Sequence, residues 1–447
     1  MSRLPILARP LALLRLAWIH QGFRRYFKNA TWLLGGRMLT LGISFLATLF
    51  IARNLGPENY GQISYALSVV GLVGFLAPLG LDTILFRELI KEPEKRSQLL
   101  GTSFVLRMGA GILTAVVAGV LAATVAADDV SRILILILAG TFILVPFQVI
   151  SFAFLARAES KYPTLISILA TIVLNILKVC VMLAGEGVIY LALILLLEPA
   201  LYAVMYVYLY RTRFHNRLRD WVWEPTLARR LLADSLPIMF LSAFTVIYAR
   251  IDQVFIKHFI DAEAVGIYDA AVRLTDLWNF IPGAIASALF PAIVNAHRSD
   301  ERVFERRMLR ISWLFVAIPV GISMFVMLLA PFVVPLLYGP EFAATIPVLQ
   351  VYIWSFVGTS LSILVHTYLT TKNKRLVLVL SALVPMTVNI VCNLLWIPAY
   401  GILGAAYATV LSYSLVPLFI LFVRRSSTPQ KGDSRLAVDL PGNPLGS

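Results

Sequence analysis

Five basic side chains in this sequence lie where charge is costly. Arg37, Arg107, Lys178, Arg250 and Arg273 each fall inside an apolar block of about twenty residues. A lone cation at the centre of a bilayer costs on the order of 2.5–3.5 kcal/mol on insertion scales. Each therefore needs a carboxylate partner or water, and a water-filled cavity that accepts an anionic headgroup supplies a use for both. If Arg37, Arg107, Arg250 and Arg273 face one cavity, they form cationic stations at several depths. Arg37 and Arg107 sit near the inner boundary and can equally snorkel to headgroups. Lys178, about two turns from the outer end of its block, is expected to do the same. Arg250 is too deep for easy escape.

Acidic residues set the second constraint. Asp82, Glu198, Asp252, Asp269 and Asp276 lie within or beside the apolar blocks. They can pair with a basic residue, or they can titrate or bind an ion and so couple transport to a proton or sodium gradient. Asp269, Arg273 and Asp276 fall at i, i+4 and i+7, so one helical face can pair Arg273 with either carboxylate. Asp252 is two residues from Arg250 and points elsewhere. Glu198 precedes Pro199 in an otherwise apolar block, where proline can open a local backbone site. Pro282-Gly283 is expected to kink its helix. The five His are scattered without ligand spacing, so no metal centre and no cofactor is expected, and Cys180 and Cys392 read as inert buried thiols.

The elements that must position these groups are membrane-spanning helices. Of 447 residues 59% are hydrophobic and 14% charged, with a mean hydropathy of +0.83. The blocks predict an all-α polytopic protein with twelve spans, at 30–52, 61–86, 98–126, 133–156, 162–184, 187–210, 235–257, 264–296, 311–336, 343–370, 376–397 and 401–423. Lysine and arginine orient them. With the N-terminus inside, thirty of the 38 basic residues fall on the inner side, three on the outer side and five within spans. A miscounted span would scramble that bias, so the number is even and both termini are cytoplasmic. The net charge of +14 sits in loops rather than in one patch interleaved with exposed aromatics, which argues against nucleic acid.

The chain divides near its middle. Phe50–Ala66 aligns without gaps to Phe255–Ala271 at an offset of 205, with Phe50/Phe255, Ile51/Ile256, Glu58/Glu263, Gly61/Gly266 and Ala66/Ala271 identical. Both copies occupy the outer turn joining the first two spans of a half. The expected organisation is an interfacial segment at 1–29, an N-lobe at 30–210, a basic linker at 211–234, a C-lobe at 235–423 and a disordered cytoplasmic tail at 424–447. Repeats of this kind recur in transporters whose pathway lies between the halves.

ARNLGPENYGQISYA at 52–66, GLDTILFREL at 80–89, ARAESKY at 156–162, YARIDQVFI at 248–256, GIYDAAVRLTDLWNFIP at 266–282, LYGPEF at 337–342 and IPAYGILGAAYAT at 397–409 together resemble the Wzx-type oligosaccharide flippases of the multidrug/oligosaccharidyl-lipid/polysaccharide exporter superfamily. The resemblance covers nearly all of residues 30–423. It implies two six-helix lobes around a central cavity, as in multidrug exporters of that superfamily, moving between inward-open and outward-open forms. It also implies a polyprenyl-pyrophosphate-linked oligosaccharide as cargo, for O-antigen or exopolysaccharide assembly, and contact with a polysaccharide polymerase and a chain-length regulator.

Other functions fit less well. No GxxxxGK[ST] loop is present for an ATP-driven pump. The outer connections are too short to hold the active site of a membrane glycosyltransferase or ligase, so the chain is not expected to be an enzyme. A multidrug exporter moving lipophilic cations would line its cavity with carboxylates rather than arginines. A peptidoglycan-precursor flippase remains a nearer alternative, although such proteins often carry two additional spans.

Overall fold

In hydrocarbon the backbone can satisfy its own polar groups only as a helix or a closed barrel, and this sequence takes the first route. The computed structural model describes residues 21–126, 128–214, 217–299, 301–372 and 374–419, and among them there is no strand. The expected interfacial segment lies outside the described residues up to residue 20, and its remainder belongs to the first helix. The expected tail at 424–447 also lies outside them.

Twelve crossings account for the described residues. The helix Gln21–Gly74 makes two of them, because Gly56 interrupts it at φ 71° and ψ 169°. That left-handed dihedral is open to glycine at little cost, and Pro57 follows directly. Span 1 therefore ends at Gly56, and span 2 continues past a turn into Leu81–Lys91. Span 3 is Arg96–Thr124, span 4 runs from Asp129 to Ala156 through a broken middle, span 5 is Lys161–Leu183 and span 6 is Val188–Phe214. In the second half, span 7 is Pro225–Phe259 and span 8 combines Ala262–Asp276 with Phe280–Ser299. Span 9 is Glu301–Tyr338 and span 10 is Thr345–Tyr352 with Ser355–Thr371. Span 11 is Arg375–Tyr400 and span 12 begins with Ile402–Leu415. The stretch joining the halves is shorter than 211–234, since span 6 runs on to Phe214 and Arg229 and Arg230 already lie in the helix of span 7. Span 8 breaks at Leu277–Asn279 rather than at Pro282-Gly283. Pro282 falls in the first turn of the following helix, where a missing N–H leaves no intrahelical bond unmade.

Large apolar side chains face outward along the whole bundle, among them Leu46, Val116, Leu328 and Phe332. Such a belt suits lipid, and the chain is a multi-pass membrane protein. Inside, close approach rests on small residues: Ala52, Ala66, Ala270, Ala271, Ala405 and Ala406 have no exposed surface. Cys180 is exposed on the outside of span 5, contrary to the expected burial, and Cys392 is half-buried.

The cores show how the halves meet. One face of the bundle carries the basic connections at 87–96, 157–161 and 211–224, and the other carries the turns near Gly56, Asp128 and Asp261; they are called here the basic face and the neutral face. Towards the neutral face a single hydrophobic core runs through both halves, from Ala52, Tyr60 and Leu134 to Val265, Tyr338 and Leu349. Towards the basic face the core splits. Leu85, Phe154 and Tyr210 belong to the first half, whereas Ile293, Phe315 and Leu364 belong to the second. The two lobes share one core at the neutral face; towards the basic face each has its own, with Leu227 and Leu231 of span 7 joining that of the first half.

Candidate functional site

The junction at the neutral face is built from the two copies of the repeat. Gly61 in span 2 meets Gly266, its repeat partner, in span 8. A Cβ on Gly61 would lie 2.8 Å from the Gly266 nitrogen and collide with the Ala262 carbonyl. A Cβ on Gly266 would lie 3.0 Å from the Gly61 nitrogen and collide with the Pro57 carbonyl. Backbone therefore packs against backbone, which only glycine permits at that distance.

Asp269 bonds the same two helices together. Its carboxylate is buried at 1% exposure. It accepts from Tyr60 Oη at 2.7 Å and Ser64 Oγ at 3.0 Å in span 2, Gln253 Nε2 at 2.9 Å in span 7, and Arg273 Nε at 2.7 Å. Ser68, one turn beyond Ser64, donates to Gln253 Oε1. Four donors on one carboxylate satisfy a charge that burial alone would make costly. Arg273 has thus chosen Asp269 over Asp276, which accepts instead from Asn279 at 2.9 Å. Tyr60, Ser64 and Ser68 stand at i, i+4 and i+8, a polar stripe on an apolar span that a reading of charged residues alone passes over.

Two further contacts cross the lobes at this face. Lys257 pairs with Asp128 at 3.0 Å, and Arg53 Nη1 donates to the Leu336 carbonyl at 3.3 Å. Burial pushes the Asp128 carboxyl up, but bonds from the Ser131 amide, Lys257 and the Ser131 hydroxyl outweigh it and hold the group below the ordinary carboxylate range. A group depressed in the closed form favours that form above its ordinary value, about 3.9, and loses the effect as pH falls through the lower value. Spin labels at Asn59 and Glu341, one on each lobe, should therefore keep one short separation from pH 8 to pH 5, with opening confined to pH below about 4. Lys257→Met should populate the open form already at neutral pH.

Towards the basic face a partly open cavity of about 490 Å³ lies between spans 1 and 8. Arg37, Ser44 and Thr48 line it from span 1, and Arg273, Asp276 and Asn279 line it from span 8. Two of the four basic residues expected to bind an anion thus share one space. Arg273 faces both ways, with its Nε on Asp269 and part of its side chain on the cavity. Arg250, in span 7, makes no ion pair among the described residues. It lies beside Gly71 of span 2.

The other side of the molecule is closed by ion pairs. Glu88, buried near the end of span 2, accepts from Arg87 at 2.9 Å and from Arg230 of span 7, and Arg87 reaches Asp234 at 3.3 Å. Spans 2 and 7 are therefore pinned together where spans 1 and 8 are apart. Arg107 belongs to this closed side. It is buried at 1% exposure, bound to Asp82, and lies 5.6 Å from the ring centroid of Phe152; it does not line the cavity.

Asp252 is buried inside the second lobe. Its Oδ2 accepts from Tyr268 Oη at 2.6 Å and Thr409 Oγ1 at 2.8 Å, while Oδ1 has no partner. Span 11, packed on spans 7 and 12, carries Asn389 and Asn393, both fully buried with unpaired amide atoms. Lys178 is half-buried in span 5. Among the described residues no group of three or more His, Cys, Asp or Glu could hold a metal ion.

Comparison with known proteins places this geometry. The family model for a polysaccharide biosynthesis protein matches residues 26–297, and that for the lipid II flippase MurJ matches residues 199–439. A probable flippase, AglR of Haloferax volcanii, is 29% identical over 191 residues, covering 38% of this chain and 36% of AglR. The chain thus spans about a third of that relative's length. An inward-facing multidrug resistance MATE family transporter of the MOP superfamily superposes with a TM-score of 0.75 at 16% identity, over 87% of this chain and 94% of that one. Lipid II flippase MurJ, in an inward closed conformation, gives 0.72 at 13% identity over 90% and 88%. These likenesses establish the two-lobed MATE-like fold, and the family match over more than half of the sequence establishes that the chain belongs to the polysaccharide biosynthesis protein family.

Proposed function

We propose that the chain is a flippase that moves a polyprenyl-pyrophosphate-linked oligosaccharide from the cytoplasmic to the periplasmic leaflet, for O-antigen or exopolysaccharide assembly. The basic face is then cytoplasmic. The observation that carries this reading is the shared cavity of Arg37 and Arg273, which joins two cations to a space opening between spans 1 and 8 on the basic side. A pyrophosphate offers such arginines paired acceptors, and an opening between two spans lets the lipid chain stay in the bilayer. The names of the relatives, a probable flippase and a lipid II flippase, support the same class of cargo.

With the neutral face closed and the basic side open, the structure represents the loading form of an alternating-access cycle. Delivery requires the contacts around Gly61, Gly266 and Asp269 to part while the lobes close on the basic side. Asp82 and Asp269 are neutralised by arginines; of the remaining acids, Glu198, Asp276 and Asp252, the last is buried with an unpaired Oδ1 and is the group we assign to coupling with a proton or sodium ion. A polymerase or chain-length regulator would be met through the loops of either face.

A deletion strain should accumulate polyprenyl-linked oligosaccharide in the membrane and lose surface polysaccharide, with unchanged sensitivity to lipophilic cationic drugs. The match of residues 199–439 to MurJ favours one second reading, a peptidoglycan precursor as cargo. Under that reading, depletion would instead halt wall synthesis and lyse the cells, with lipid-linked muropeptide accumulating.

A further inference from the structure

The first lobe carries a polar seam that the capture of a pyrophosphate does not use. On span 6, Glu198, Tyr202 and Tyr206 stand at i, i+4 and i+8, one face of the helix. The rings of Tyr202 and Tyr206 are stacked, 6.0 Å between centroids and 18° from parallel. On span 5, Ser167, Thr171 and Lys178 share a face, and Ser167 Oγ lies 3.5 Å from Tyr202 Oη. Neither Glu198 nor Lys178 has an ion-pair partner within 4.0 Å among the described residues. All but the buried Tyr206 keep partial exposure.

An unpaired carboxylate and an unpaired ammonium do not face hydrocarbon. The seam must therefore open on a polar space, and the packing of span 5 puts that space beside the cavity: span 5 runs along span 1, where Thr164, on the same helical face as Thr171 and Lys178, meets Gly36 next to the cavity-lining Arg37.

Carboxylate, ammonium, hydroxyls and a stacked aromatic pair within one wall are the groups that bind a sugar. The carboxylate and hydroxyls take its OH groups, and the rings take its C–H face. The geometry points to a glycan subsite on the first lobe, lined by Glu198, Lys178, Tyr202 and Ser167, opposite the Arg37 and Arg273 station for the pyrophosphate. This inference rests on the proposed flippase reading and adds to it: Arg37 of span 1 and Arg273 of span 8 hold the phosphates, and the seam between spans 5 and 6 reads the sugar. Lys178 further suits a glycan that carries an acidic sugar.

The test uses the full chain in lipid nanodiscs and two probes. One is the polyprenyl-linked oligosaccharide extracted from the deletion strain, and the other is polyprenyl pyrophosphate left after mild acid removes its sugar. The wild type should bind the glycan-bearing lipid more tightly. Glu198→Gln, which keeps shape and removes charge, should weaken that lipid at least about fivefold and leave the sugar-free lipid unchanged; Tyr202→Phe should act in the same direction. Arg273→Ala should weaken both. Equal wild-type affinities for the two lipids, or equal losses for both lipids in Glu198→Gln, would overturn the glycan subsite while leaving the flippase reading intact. Failure of the wild type to bind either lipid would overturn both.

Discussion

Replacing Arg273 by alanine is expected to abolish export of the lipid-linked glycan while membrane levels of the protein stay normal. Two independent losses converge on this residue. The cavity loses one of its two lining arginines, and an anionic headgroup loses the fork that a guanidinium offers. At the same time Asp269 keeps three neutral donors but no cation, inside a site it enters at 1% exposure. The buried Asp269 charge is then left without its cation, and that cost falls on the closed neutral face. Arg37→Ala tests the first loss alone, since no ion-pair partner of Arg37 exists among the described residues; it should cut export about tenfold or more. Arg273→Lys restores charge without the fork and should recover part of the activity. Extracted polyprenyl-linked sugar and surface polysaccharide measure both effects. Unchanged surface polysaccharide in Arg37→Ala and Arg273→Ala together would remove the cationic cavity from the account.

Gly61→Val and Gly266→Val carry the second large effect, on conformation rather than on charge. Each new side chain would collide with a main-chain carbonyl of the opposite lobe, and helix backbone cannot shift as the end of a flexible side chain can. The lobes must part at the neutral face, so the variants should populate the outward form and stop transport. Spin labels at Asn59 and Glu341 should move apart, and binding of the lipid-linked glycan from the basic side should fall. Gly61→Ala should give a smaller displacement in the same direction. A short label separation retained in both valine variants would show that the two glycines do not set the gate.

How far the sequence discloses this machine varies by level. The twelve crossings follow from blocks of apolar residues and from where lysine and arginine fall, because lipid imposes both patterns directly. Only nine helices are long and apolar enough to stand alone as spans among the described residues. The remainder emerge once the break at Gly56, the interruption of span 8 and the short span 12 are allowed for. Depth was legible as well, since Arg37 and Arg273 do lie where one cavity can hold them. Azimuth was not. Arg107 sits in an apolar block like the others, yet its side chain turns to Asp82 and Phe152, away from the cavity.

The repeat offers the clearest case of a signal whose meaning needed three dimensions. Gly61 and Gly266 match at an offset of 205, and so do the positions of Ser64 and Asp269. In sequence these are equivalent sites in two halves. In the fold, pseudo-symmetry brings equivalent sites into contact, so the matched glycines form one crossing and Ser64 donates to Asp269. Residues that looked like copies of a turn are the two sides of one helix crossing. Arg273 joins that crossing to the cavity. In the proposed cycle, an anion that draws Arg273 away from Asp269 weakens the closed neutral face, so that cargo arrival and outward opening are coupled through a single guanidinium.

Reconstitution tests the central claim most directly. Purified protein in liposomes containing the lipid-linked oligosaccharide from a deletion strain is exposed to a membrane-impermeant reagent that oxidises sugars. Without protein only the outer-leaflet share of the lipid reacts. The account predicts that the wild type renders nearly all of it reactive, and that Arg273→Ala, equally well inserted, leaves the reactive share at the protein-free level. A reactive share that wild-type protein does not raise, or that Arg273→Ala raises as fully as the wild type, would contradict it.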